Sequence, residues 1–396
     1  MKTSARTLAF AALCLLAFAA PSAAADAPAA APTGGALPGV PTADVWLDDL
    51  IPLPAGGGAK TAEPTKGAHA DGEGLRLKNT TWQRGLAVRA PADIRYELKG
   101  DYAYFVALIG IDERVGNKGS AMARVFVDGV LVANSHYLLG GGKGWAVNVA
   151  IPAGPDGKPA RQLRLVIDDG KDGPADDLVD IVQAGFRRRD ASGWTPPAPK
   201  PTRDETFFNG KDLAGWKGTE KYWSVVDGTI IGEAKENVPR NEFLFSRVPA
   251  GDFYLSVRMK LEPNNGNSGI QFRSQSNRDG QAIGYQADVG AGWWGKLYHE
   301  HARGMLDATD AGGKHVKPGD WNQYEILAVG HRVWTAINGH LSTAKRDPIG
   351  ELEGFIAFQM HSGPPMKVSF KDIVLIHNPE AKLAGLDEKK LDAALR

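Results

Sequence analysis

The sequence predicts an all-β protein built as two sandwiches in series. Three observations carry that prediction. Short apolar runs alternate with Gly, Asn, Asp and Pro turn signals over most of the 396 residues. Helical periodicity is confined to residues 380–396, where Leu383, Leu386, Leu391 and Leu395 form an apolar stripe among charges. A semi-rigid spacer, Trp194-Thr195-Pro196-Pro197-Ala198-Pro199-Lys200-Pro201, breaks the pattern, so 191–203 reads as a linker between a domain at 41–190 and one at 204–379. Gly 48 and Pro 25 suit such a turn-rich chain.

Met1–Ala25 reads as a secretory signal. Lys2 and Arg6 precede an apolar run from Leu8 to Ala20, and Ala23-Ala24-Ala25 is the expected cleavage site. Export to a bacterial periplasm or exterior is therefore expected, with a flexible Ala/Pro/Gly leader at 26–40. Cys14, inside the apolar run, is the only cysteine, so the mature chain has no disulfide and no thiol chemistry. Lipidation at Ala11-Ala12-Leu13-Cys14 is the alternative reading. Lys+Arg 46 balances Asp+Glu 46, which points away from nucleic acid as a partner, and no transmembrane segment is expected.

In the first domain the runs Gly85–Val88, Ile94–Leu98, Tyr104–Ile109, Ala123–Val127 and Leu163–Ile167 read as strands, with Asp128-Gly129 as a hairpin turn. The segments Gly85-Leu86-Ala87-Val88-Arg89-Ala90-Pro91, Ile109-Gly110-Ile111-Asp112 and Phe126-Val127-Asp128-Gly129 resemble the NPCBM carbohydrate-binding modules. The resemblance implies a galactose-binding-like β-sandwich. Arg89 stands where that family usually has His, and Leu178 and Ile181 replace a usual His and Trp, so the resemblance implies the fold without deciding sugar binding. The acidic run Asp168, Asp169, Asp172, Asp176, Asp177 and Asp180 could ligate Ca²⁺ or be a solvated loop.

In the second domain, many strands without helical pattern argue a two-sheet jelly roll. Asn264-Asn265-Gly266-Asn267-Ser268-Gly269 turns into Ile270-Gln271-Phe272-Arg273, whose period-2 alternation buries Ile270 and Phe272. The same alternation puts Gln286 and Asp288, and Gln359 and His361, on a face opposite the core. Such a set of Gln, Arg, Asp and His suits a hydroxyl-rich ligand better than a solvated face does. The intervening Gly292–Gly304 segment holds Trp293, Trp294, Tyr298, His299, Glu300, His301 and Arg303, in which a Trp or Tyr could stack on a sugar or simply cap the sandwich.

Phe208-Asn209-Gly210-Lys211-Asp212-Leu213, Gly266–Ser274, Gly284–Asp288, Trp321–Tyr324, Asn338-Gly339 and Gln359–Gly363 resemble, in that order, the 3-keto-disaccharide hydrolase family, across about residues 204–377. The resemblance implies a concanavalin A-like jelly roll that cleaves a glycoside already oxidised at C3. A C3 ketone acidifies the C2–H, so the implied chemistry needs a base, an electrophile for the enolate and an acid for the leaving oxygen. The expected catalytic set is Asp288 or Glu300 as base, with Arg273 and His361 steadying the oxyanion. The expected substrate-binding set is Gln271, Gln286, Gln359, Tyr298, Arg303, Trp294 and Asn267. A divalent metal on Asp288, Glu300 or His301 could replace the arginine. Two rivals stay open: a conventional glycosidase using Asp288 and Glu300 as its carboxylate pair, and a non-catalytic lectin. Aglycone, linkage and oligomeric state are open as well.

Overall fold

A computed structural model describes residues 42–54, 63–153, 157–188, 199–309 and 311–396. The signal segment, the leader and residues 189–198 of the linker region lie outside the described residues. What is described is all-β except for short 3-10 turns and one α-helix, Glu388–Ala393.

The N-terminal domain is a sandwich of a six-stranded and a five-stranded antiparallel sheet. Its longest strands, Tyr102–Ile111 and Leu178–Arg188, lie side by side in the larger sheet. Phe105, Ala107, Ile109, Ile181 and Phe186 face Val125, Leu163, Leu165 and Ile167 across the core. Ile181 is thus a core side chain, whereas Leu178 is half-buried at the rim.

The C-terminal domain stacks an eight-stranded sheet on a seven-stranded one. The latter carries the site, and its strands are named β1 (Trp216–Lys217), β2 (Glu242–Ala250), β3 (Asn267–Ser276), β4 (Ala282–Gly290), β5 (Leu297–Glu300), β6 (Gly304–Asp307) and β7 (Gly354–Met360). Their order across the sheet is β1-β2-β7-β3-β4-β5-β6. Ile270, Phe272, Tyr285, Ala287, Val289, Leu297, Phe358 and Met360 fill the space between the sheets, as the alternation requires.

A register shift between Phe272 and Gln275 bends the β3–β4 hairpin back over the outer face of its own sheet. Ala282 consequently packs with Phe243, Phe245 and Ala357, although β4 and β2 are not neighbours. Gln281 Nε2 donates to the carbonyl of Asn241 at 2.9 Å. The hairpin thus covers the part of the outer face around Phe243, Phe245 and Ala357.

The C-terminal stripe is a turn followed by a helix, not one helix over 380–396. Ala384 and Gly385 adopt positive φ (50° and 72°), and Asp387 then caps the helix by accepting from Lys390 N at 3.0 Å. Leu383 and Leu391 bury themselves against Leu327, Trp334 and Ala344 on the outer face of the eight-stranded sheet.

Candidate active site

The register of β3, β4 and β7 places Gly269 opposite both Asp288 and Gln359. One step along, Gln271 faces Gln286, which faces Tyr298 on β5. Gln271, Gln286, Asp288 and Gln359 all lie on the outer face, and all are at most 4% exposed. Sequence alternation assigned them to this face correctly, but not their burial.

These side chains form a directed relay. Ser274 Oγ donates to Gln271 Oε1 (3.1 Å), Gln271 Nε2 to Gln286 Oε1, and Gln286 Nε2 to Asp288 Oδ1 (2.6 Å). The relay holds one carboxylate oxygen and leaves Asp288 Oδ2 buried without a partner. Around it, Gln359 Nε2 and Oε1 and Asn267 Oδ1 are also buried and unpartnered. A buried polar atom without a partner costs about 1–3 kcal/mol. These four atoms, on neighbouring strands beside Gly269, are free to bond water or a polar ligand.

Burial pushes Asp288 up to about 7, and the Glu300 carboxylate adds to the rise against the Gln286 amide. Burial raises Glu300 as well, while His301 and His361 pull it back. Asn241 Nδ2 donates to Glu300 Oε1 at 3.5 Å, and Asn241 Oδ1 accepts from Ser362 N at 2.9 Å. His361 Nδ1 donates to Ser362 O at 2.6 Å, which leaves Nε2 as its free ring nitrogen. Glu300 is therefore the charge that both Asp288 and His361 sense. Asn241 was missed because it precedes β2 in a loop, where strand alternation carries no signal.

Gly269 is the position to probe. A Cβ there would lie 2.6 Å from Gln286 Cδ and Cγ, inside the relay. Gly269→Ala is expected to lower turnover at least about tenfold while circular dichroism stays native, because misplaced catalytic groups lose rate steeply. Full activity in that variant would mean that Gln286 does not orient Asp288.

Four expectations are corrected. Arg273 does not share the face with Asp288. The bulge sets it at φ 45°, and its guanidinium donates to the carbonyls of Gly251 (2.9 Å), Gly330 (2.7 Å) and Glu351 (3.3 Å) and to Asp252 Oδ1 (3.2 Å). Arg303 grips Asp347 through two bonds of 2.8 and 2.6 Å and donates from Nε to His299 Nδ1 (2.6 Å). Asp347 is also bonded to the hydroxyl of Tyr285, a core-side residue, so Arg303 stands behind the site strand and not in the site. Trp294 is a core residue, packed near Tyr324 with its Nε1 on Asn264 Oδ1 at 3.2 Å. Trp293 is the exposed member of the pair.

The fourth correction concerns metal. His301 turns its Nδ1 to the carbonyl of Ala282 (2.9 Å) and lies 3.9 Å from Glu300 Oε1, but Asp288, Glu300 and His301 do not form a three-ligand group. Among the described residues the group that does is buried in the N-terminal domain: His69, Asp112 and Asp180. His69 Nε2 lies 2.7 Å from Asp180 Oδ1 and 3.1 Å from Asp112 Oδ2. The remaining oxygens accept from Arg76 N (2.6 Å) and from Arg114 N and Nε (2.7 and 2.9 Å). Burial alone would lower His69, but the two carboxylates outweigh it and hold it at about 9. The triad could hold a metal ion, with the arginine donors orienting its carboxylates. Of the acidic run, only Asp180 belongs to it. Asp168 pairs with Arg124 at 2.7 Å, Asp172 accepts from Ser120 Oγ at 2.6 Å, and Asp177 accepts from Ser120 N at 2.7 Å.

Comparison with known proteins fits both halves. Residues 43–187 match the NPCBM/NEW2 domain, and residues 203–376 match the 3-keto-alpha-glucoside-1,2-lyase-like domain. A putative endo-alpha-N-acetylgalactosaminidase of Renibacterium salmoninarum is 31% identical over 144 residues, which is 35% of this chain and 9% of that protein. The chain thus spans a small fraction of that relative's length. The CBM51 module from Clostridium perfringens GH95, solved in complex with methyl-galactose, is 27% identical, covers 36% of this chain and 98% of its own, and has a TM-score of 0.31. A putative glycosyl hydrolase from Parabacteroides distasonis is 21% identical over 44% of this chain and 92% of its own, with a TM-score of 0.34.

Proposed function

We propose that this carbohydrate-active protein, an NPCBM domain followed by a 3-keto-alpha-glucoside-1,2-lyase-like domain, cleaves glycosides oxidised at C3. The observation that carries the reading is the buried, half-partnered carboxylate of Asp288, raised to about 7, which registers against Gly269 as the unpartnered Gln359 amide does. A base at that value is matched to proton abstraction near neutral pH.

In this reading Asp288 Oδ2 takes the C2 proton, made acidic by the adjacent ketone. The electron pair forms the C1–C2 double bond and expels the C1 oxygen substituent. Glu300, whose burial favours its protonated form, supplies a proton to that leaving oxygen. Water then adds across C1–C2 to give the free 3-keto sugar; release before hydration is the lyase outcome. With Arg273 committed elsewhere, the unpartnered Gln359 Nε2 is the donor that steadies the ketone oxygen as it gains charge. Gln286, Asn267, Tyr298 and His361 are left to hold hydroxyls and the leaving group.

Purified protein should turn over a 3-keto-glycoside and leave its unoxidised parent untouched. Turnover of the parent would instead support a glycosidase using the Asp288 and Glu300 pair. Binding of either sugar without turnover would support a lectin. Export is part of the proposal, and N-terminal sequencing of the mature protein should begin after Ala25.

A further inference from the structure

The β3–β4 hairpin is not held by its own domain alone. Arg278, at its tip, donates to the carbonyls of Gly119 and of Asn117 (3.4 Å) and lies 3.1 Å from Asp172, all in the N-terminal domain. Gln275 Oε1 accepts from the backbone N–H of Tyr137 at 3.2 Å. Ile283 packs with Met122 and Tyr137 in a small cluster that crosses the domain boundary.

A second set of contacts holds the other flank of the bulge. Asn134 Oδ1 accepts from Leu352 N (2.8 Å) and Glu353 N (3.2 Å), and its Nδ2 donates to Glu353 O (2.8 Å). Leu131 N donates to Pro348 O at 2.8 Å. Between them lies Glu351, whose carbonyl accepts from Arg273 and whose carboxylate stands 3.5 Å from Arg124.

We propose that the N-terminal domain is a positioning element of the catalytic unit, clamping the β3–β4 hairpin through Arg278 and the bulge through Asn134. The inference rests on the reading of the Asp288 site as catalytic. Its physical basis is that hairpin tips open at low cost, and that a non-glycine residue at positive φ, here Arg273, persists only where its surroundings over-determine it. The hairpin passes its position on to the site. Gln281 bonds Asn241, Asn241 bonds Glu300, and the Ala282 carbonyl accepts from His301. Meanwhile the cavity of about 240 Å³ beside His69, lined by Thr65, Val88, Arg89, Arg114 and Leu178 among others, presents no Trp, Tyr or Phe ring among the described residues.

The test uses the full chain with Arg278→Met, Arg278→Lys and Asn134→Ala. Hydrogen–deuterium exchange, which needs no substrate, should show residues 274–283 exchanging about tenfold faster in Arg278→Met. Turnover of the 3-keto-glycoside should fall about tenfold in kcat with KM within about twofold, partly restored in Arg278→Lys. Asn134→Ala should act in the same direction from the other flank. Unchanged exchange at 274–283 would overturn the clamp, and so would faster exchange with unchanged kcat. If the unmodified protein turned over no 3-keto-glycoside, the functional reading would fail, and the exchange measurement would still decide the clamp.

Discussion

Asp288→Asn is expected to cut turnover of a 3-keto-glycoside by about 10²- to 10⁴-fold, the usual loss when a general base is removed. The asparagine keeps an oxygen to accept from Gln286, so the relay and the shape of the site should survive. In the unmodified protein kcat/KM should rise with pH through about 7, since Asp288 works in its ionised form. Stability should move the other way. An unfolded aspartate titrates near ~3.9, and burial raises it to about 7 in the folded protein. Below the unfolded value both states carry the proton and there is no penalty. As pH rises from there to about 7 the unfolded state ionises while the buried group keeps its proton, and stability is lost over that window. Asp288→Asn should therefore be more stable than the unmodified protein at pH 8, on the order of 4 kcal/mol, and nearly equal to it near pH 4. Urea unfolding at both values measures this. An asparagine variant less stable at pH 8 would show that Asp288 is held for structural reasons, and the assignment as base would fall with it.

Arg273→Met is expected to lose about 3–5 kcal/mol of stability, because it removes a buried guanidinium that serves three carbonyls, while Asp252 Oδ1 keeps its bond from Gly330 N. Burial lowers the guanidinium, against the pull of Asp252, yet the carbonyl cage keeps it in use as a strut. Gly330 lies in a turn of the opposite sheet, so this one side chain ties the two sheets together beside the bulge. The folded fraction of the variant should keep the pH dependence of kcat set by Asp288. A variant of normal stability whose turnover collapses would return Arg273 to the role of electrophile, and thermal unfolding alongside steady-state kinetics separates the two outcomes.

Part of this was legible in the sequence. Period-2 alternation put Gln271, Gln286, Asp288 and Gln359 on one face of neighbouring strands, and the registers bear that out. The alternation depends only on backbone geometry, so it holds wherever a strand is regular. It failed at Arg273 because a bulge shifts the phase, and one extra residue sends a side chain to a different place. Alternation says nothing about Trp294, which lies in a loop; of the two readings open for it, stacking on a sugar or capping the sandwich, the structure shows the second. The C-terminal leucines were read as one helix because their spacing fits one. The positive φ at Ala384 and Gly385 is a tertiary outcome that lets Leu383 and Leu391 reach the same sheet face.

By itself, then, the sequence determined two β-sandwiches and the row of amides and carboxylates on one sheet, because each follows from local periodicity and turn chemistry. Only the tertiary structure decided that this row is buried, that Asp288 keeps one oxygen free while Arg273 is consumed in a carbonyl cage, and that the converging His/Asp/Asp triad lies in the other domain. Those outcomes depend on a bulge that shifts the phase of one strand and on groups far apart in sequence meeting in space. No local pattern encodes either one.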